Sequence, residues 1–386
     1  MPAPGATKRI PCSGNAKLTY DLYLPRSYSP KAVPGHPAVF LSSPNKNPGF
    51  RGLEKWAEAN GVVLVTINDS QNGPDRPNEI AQDAVLESVK SLRLHPGLKF
   101  ATGLSGAASD SALLVRRHPK DFAGAVLQCH SLFRPESAKH LSVVFITGKK
   151  DTVHSPLYVH AAALLAGNSG RYVREIITEG GHTWADPDLV AKSLSRMLWI
   201  GRLSHPACDG KERAAALAAA EATVKSADAG SVSAESLADW DALLFLKELK
   251  GKAFRSKALE LWCAGTLTTW SALPARDALA EVNRPSVRER YAECTGSRSA
   301  FDSFRKRLTA DVSLKAEVAA WKAFEPLRVA FNKVTAPAHQ PGGKDKISYD
   351  DYKGLERKLQ EFIKKNPGTL ASDEASSMLK VGSIIY

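Results

Sequence analysis

The sequence is poor in cysteine: five in 386 residues, and Cys12, Cys129, Cys208, Cys263 and Cys294 lie far apart. A disulfide scaffold needs denser spacing and is excluded. No Cys-x-x-Cys pair and no His-Glu-x-x-His occurs, so structural zinc and zincin chemistry have no local signal, and no metal or cofactor is expected. The glycine patterns that cradle phosphates or dinucleotides are missing too. No apolar run reaches the roughly 18 residues of a membrane span, and mean hydropathy is −0.24. A concentrated basic arm is also lacking. The net charge of +12 is spread over both halves of the chain, so nucleic acid is not an expected partner. The opening Met-Pro-Ala-Pro-Gly-Ala has no apolar stretch behind a basic start. The sequence is therefore expected to be either cytoplasmic or the mature form of an exported protein without its signal peptide.

What is present is a globular composition, with 43% hydrophobic and 24% charged residues, able to bury a large core. The length predicts two domains. Up to residue 204, short β-branched runs at Leu18–Leu24, Ala38–Leu41, Val62–Ile67, Leu98–Thr102, Gly124–Gln128, Val143–Thr147 and Val173–Ile177 read as strands. Helical periodicity lies between them, near 52–60, 76–94, 106–117, 155–166 and 186–203. Apolar strands alternating with helices predict a mostly parallel sheet covered on both faces. From residue 205 to 386 the pattern turns all-helical. Helices are predicted at Lys211–Val224, Leu237–Lys250, Lys252–Cys263, Arg276–Val282, Ser299–Leu308, Leu314–Phe331 and Tyr352–Lys365. Trp240, Trp262, Trp270 and Trp321 read as their core anchors, and 335–347 as a flexible segment.

The informative stretch is Lys99–Ala108. An apolar strand runs into Gly103-Leu104-Ser105-Gly106-Ala107, and a helix starts at once. That is the strand–turn–helix of a nucleophile elbow, with Ser105 at its apex and small residues on both sides. A hydroxyl needs an imidazole to take its proton and a carboxylate to orient the imidazole. Asp151 follows the strand Val143–Thr147, and His182 follows Val173–Ile177. The order Ser, Asp, His at successive strand ends would put all three on one rim of a parallel sheet.

Residues 15–204 thus resemble an α/β-hydrolase of the polyhydroxybutyrate-depolymerase, feruloyl-esterase and dienelactone-hydrolase type. The resemblance rests on Thr102-Gly-Leu-Ser-Gly106 and on Gly180-Gly-His-Thr-Trp184, covers about half of the chain, and leaves the helical part outside. It implies hydrolysis of carboxylic esters through an acyl-enzyme without a cofactor, and it tilts localisation toward export. Ala107 stands where the elbow has its final glycine. Where many relatives carry His-Gly after the third strand, this chain has Ser43-Pro44. Proline has no N–H to donate, so the amides of Asn45 and Gly106 are the expected oxyanion donors.

Only Cys129–Ser142 separates the sixth and seventh strands, too few residues for a lid. An open cleft suits a bulky or polymeric ester, with Trp184 and Phe50 as candidate apolar walls. Asn68 and Asp69 read as a turn, His154 as a surface residue, and Cys129 as a small buried one. A serine peptidase on the same fold, and a weakly active binding module whose helical part engages a partner, are the competing functions.

Overall fold

Short runs of β-branched and aromatic residues form an eight-stranded sheet in the computed structural model. It describes residues 2–73, 75–130, 141–154, 159, 172–226, 234–245, 253–294, 296–335 and 349–385. The strands are β1 (Thr7–Cys12), β2 (Asn15–Tyr23), β3 (His36–Ser42), β4 (Val63–Ile67), β5 (Leu94–Leu104), β6 (Phe122–Gln128), β7 (Ser142–Gly148) and β8 (Val173–Thr178). Their order is β1-β2-β4-β3-β5-β6-β7-β8. β1 and β2 pair antiparallel, β2 runs antiparallel to β4, and β3 to β8 are parallel. This is the sheet of the α/β-hydrolase fold, as the resemblance implies. β1 is an addition to the predicted strands. It is polar and largely exposed, and the Arg9 guanidinium grips Asp21 of β2 through two hydrogen bonds of 2.7 and 3.0 Å.

The parallel strands β3 to β7 are largely buried on both faces, which is why they read as continuous apolar runs rather than alternating ones, while β8 at the sheet edge is only half-buried. Val39, Phe40, Leu64, Val65, Ala101, Val126, Val143 and Phe145 have almost no exposed surface. Each of these Val, Leu and Phe side chains stabilises the fold by about 1.5–3 kcal/mol relative to exposure. Helices α1 (Glu54–Asn60), α2 (Asp75–Ser88), α3 (Gly106–Arg117) and α4 (Pro187–Ser204) accompany the sheet. Buried Ala107, Ala108 and Ala112 let α3 lie close to it. α4 starts where Asp186 accepts the Asp188 amide at 2.8 Å and Pro187 takes the first turn. It then buries Val190, Leu194, Met197 and Leu198. The predicted helix 155–166, apart from Val159, and most of the connection 129–142 lie outside the described residues.

The compact unit that holds the sheet runs to Arg213. Past α4 the chain still serves it, since Glu212 accepts from His95 Nε2, 3.2 Å away, and Arg213 donates to the His205 carbonyl at 3.0 Å. α5 (Gly210–Ser226) carries the chain into a second unit, which begins at Ala214.

That second unit is helical among its described residues: α6 (Ala234–Phe245), α7 (Ala253–Ser271), α8 (Ala275–Val282), α9 (Pro285–Glu293), α10 (Arg298–Ala310), α11 (Lys315–Thr335), α12 (Tyr349–Lys365) and α13 (Leu370–Ile385). Its core is aromatic. Trp240, Trp262, Trp270 and Trp321 are all buried. Tyr291 stacks on Phe301 at 4.0 Å and meets Trp262 at 5.7 Å, while Phe324 stacks on Phe362 at 5.4 Å. α9 and α13 were not predicted. The predicted flexible segment 335–347 lies outside the described residues but for Thr335, which closes α11. Among the described residues no helix is long and apolar enough to cross a membrane, and all five cysteines are free and buried.

Candidate active site

β5 delivers Ser105 into a conformation that side chains rarely adopt, with φ 56° and ψ −127°. The turn is held from two sides. The Ser105 amide donates to the Gln128 carbonyl of β6 at 2.9 Å, and the Ser105 carbonyl accepts from Ala108 at 2.9 Å. Gly103 is required here, because a Cβ would collide with the Ala107 carbonyl. A serine before a helix usually caps it with its hydroxyl. Ser105 does not, and its half-buried side chain is left for other work.

Asp151 and His182 occupy the loops after β7 and β8. His182 Nδ1 lies 2.9 Å from Asp151 Oδ2, with the carboxylate fully buried and the imidazole a quarter exposed. Asp151 Oδ1 accepts the amides of Val153 and His154, each at 2.8 Å. Burial pushes the Asp151 carboxyl up. The His154 amide, the His182 ring and the Val153 amide outweigh it and hold the carboxyl below its ordinary range. The aspartate therefore stays ionised, and the proton on His182 belongs on Nδ1, facing it. That leaves Nε2 as the imidazole's basic nitrogen.

Gln128 ties this loop to the elbow. Its carbonyl holds the Ser105 amide, its Oε1 accepts from Ala185 at 2.9 Å, and its Nε2 donates to Thr102 at 3.1 Å. Among the described residues no hydrogen bond joins the Ser105 hydroxyl to His182. Free hydrolases often hold this contact long and tighten it with substrate.

Two neighbours have larger roles than their sequence positions suggest. Cys129, at φ 49°, points its thiol at the carbonyls of Thr183 (3.5 Å) and Gly181 (3.7 Å), on either side of His182. Burial pushes that thiol up to about 11, so it stays protonated and can donate. His154 is half-buried rather than a surface residue, and its ring stacks on His182 at 5.7 Å and 24°. His130, buried and edge-on to His154 at 5.0 Å, completes a row of three imidazoles. Neither contact has a sequence signal, because each arises between loops of different strands. Cys129, Asp151 and His182 bring possible metal-ligand atoms within 4.8 Å of one another. The protonated thiol and the existing carboxylate–imidazole bond account for these atoms without an ion.

The remaining expected residues are dispersed. The Asn45 amide turns inward to Ser43 Oγ at 3.2 Å, while the Asn45 side chain is exposed. Gly106 is the first residue of α3. Trp184 lines a small pocket with Leu41, Thr102, Gln128, Val190 and Arg51, whose guanidinium stands 4.2 Å over the indole ring. Phe50 is buried and packs edge-on to Tyr23 at 6.2 Å. Asp69 is engaged elsewhere, accepting the Thr19 amide of β2 at 2.8 Å.

No family model and no curated relative matches the sequence. Solved structures similar in fold include a thermostable esterase (14% identity, TM-score 0.39, covering 49% of this chain and 60% of that one). A ferulic acid esterase gives 15% identity and a TM-score of 0.41, over 50% of this chain and 98% of that one. A puromycin hydrolase gives 11% and 0.41, over 52% and 39%. The chain thus spans less than two thirds of the length of the thermostable esterase and of the puromycin hydrolase.

Proposed function

We propose that the chain is a serine hydrolase of carboxylic esters. The observation that carries this reading is the Asp151–His182 pair, bonded at 2.9 Å on the loops after β7 and β8, with the histidine loop tied through Gln128 to the strained turn at Ser105. With Nδ1–H committed to the carboxylate, Nε2 is the lone pair able to take the Ser105 proton. The freed oxygen attacks the ester carbonyl, and the carbonyl π pair moves onto oxygen as an oxyanion. That pair returns as the C–O bond to the alcohol breaks, and the imidazolium gives its proton to the leaving oxygen. Water then repeats the sequence on the acyl-enzyme and releases the acid. Bulky or polymeric esters are the favoured substrate class, because the 129–142 connection is short.

The test is covalent labelling by a fluorophosphonate, with the modified residue located by mass spectrometry, beside turnover of a short-chain aryl ester. Wild type should be labelled at Ser105. Ser105→Ala should keep its circular dichroism spectrum, escape labelling and lose turnover about 10³-fold or more. A folded wild type that is neither labelled nor active would leave the binding-module reading in its place.

A further inference from the structure

An ester hydrolase needs two donors on the developing oxyanion, and the usual loop does not offer the second one here. Pro44 has no N–H. The Asn45 amide is committed to Ser43 Oγ. Opposite that loop, the segment after β4 runs alongside it: Lys46 donates to the Ser70 carbonyl at 3.0 Å, Asn47 to that of Asn68 at 2.8 Å, and Asn72 to that of Pro44 at 2.8 Å. The segment brings the Asn72 side chain directly over Gly106. A Cβ on Gly106 would overlap Asn72 Oδ1, and the Asn72 Cγ stands 3.1 Å from where that Cβ would be. The carboxamide is exposed and makes no hydrogen bond to a described residue.

The placement is braced from below by buried polar groups. Asn78 clamps Gln71 on both sides, accepting its amide at 3.1 Å and donating to its carbonyl at 2.8 Å. Asn78 and Ser70 both donate to Asp110 of α3, each at 3.2 Å. Asp110 thus links the helix that begins at the elbow to the segment that carries Asn72. Such a network is costly to bury unless every member is satisfied, and this one fixes the residue before Asn72.

We propose that the Asn72 carboxamide is the second oxyanion donor, paired with the Gly106 amide. A half-turn of the carboxamide exchanges its oxygen and nitrogen, which presents Nδ2–H on the face now held by Oδ1. Gly106 lacks a side chain because the carboxamide occupies that space. The proposal rests on Ser105 being the nucleophile, and the experiment keeps the two apart.

Asn72→Ala and the near-isosteric Asn72→Asp, which lacks the N–H donors, should each lower kcat for a short-chain aryl ester by about 10²-fold, with KM within about threefold of wild type. The phosphonylation rate of Ser105 should fall in parallel, since the phosphoryl oxygen would occupy the same position, while the melting temperature stays unchanged. Lys46→Ala removes an exposed side chain and leaves the Lys46 backbone bond to the Ser70 carbonyl intact; it serves as the control and should behave as wild type. Turnover and labelling within about threefold of wild type in both Asn72 variants would overturn the proposal and leave Ser105 standing. Absence of labelling in wild type would instead remove the nucleophile, and this proposal with it.

Discussion

The sheet unit and the helical unit bury polar groups in different ways. In the sheet unit Ser70, Asn78, Asp110, Gln128 and Asp151 are all buried, and their partners lie on other loops and elements near the elbow. In the helical unit Thr335 and Ser377 are equally buried, but each bonds a carbonyl one turn back in its own helix, while Thr266 also meets the Tyr291 hydroxyl and buried Glu317 and Arg328 tie α11 to Arg276, Leu370 and Asn283. Hydroxyls satisfied within one helix follow from packing alone. Polar groups satisfied only across loops hold those loops in place, at a desolvation cost that an apolar core avoids. In the sheet unit the loop-crossing groups gather around the turn at Ser105, whereas in the helical unit they tie helices to one another.

The sharpest way to break this contrast is to damage the aromatic core. Trp262 contacts Trp270 and Tyr291 and is buried. Trp262→Ala should cost the helical unit about 3–5 kcal/mol, read by calorimetry, with aryl-ester turnover at 25 °C unchanged. A parallel fall in turnover would show that the helical unit also positions the site. The unit boundary gives a smaller effect. A chain ended at Arg213 keeps Glu212 on the fully buried His95. One ended at Ser204 strands that imidazole, at a cost of about 1–3 kcal/mol. Both should be labelled at Ser105, the shorter with the lower melting temperature; equal melting would show that 205–213 adds nothing to the sheet unit.

A further effect is on pH. Burial, with His154 and His182 nearby, pushes the His130 imidazole down to about 4. Below the ordinary histidine value near 6.5 the unfolded chain takes a proton that the folded one refuses. Folding stability should therefore fall by about 1.4 kcal/mol per pH unit from about 6.5 to 4 on this account. Urea unfolding at pH 7 and pH 5 should show a shallower loss in His130→Phe than in wild type. Equal losses would mean that His130 titrates normally.

Much of this was legible beforehand, for physical reasons. Strands buried on both faces announce themselves as β-branched runs, and seven of the eight lie where expected. β1 does not, because Lys8, Arg9 and Pro11 face outward and its partner is fixed by pairing rather than by pattern. α9 was missed because few of its residues are apolar, with Val287 and Tyr291 its buried anchors. α13 presents small Ala371 and Ala375 to its core, a weak periodic signal. Ser105, Asp151 and His182 could be named because each follows a strand, and parallel strands end on one rim. Asn72, Cys129 and His154 could not, since their positions depend on how separate loops lie against one another.

Gln128 is shared by two parts of the site. Its carbonyl takes the Ser105 amide, and its carboxamide oxygen takes the Ala185 amide three residues past His182. A displacement of β6 is therefore transmitted to the elbow and to the histidine loop together, rather than to one of them alone.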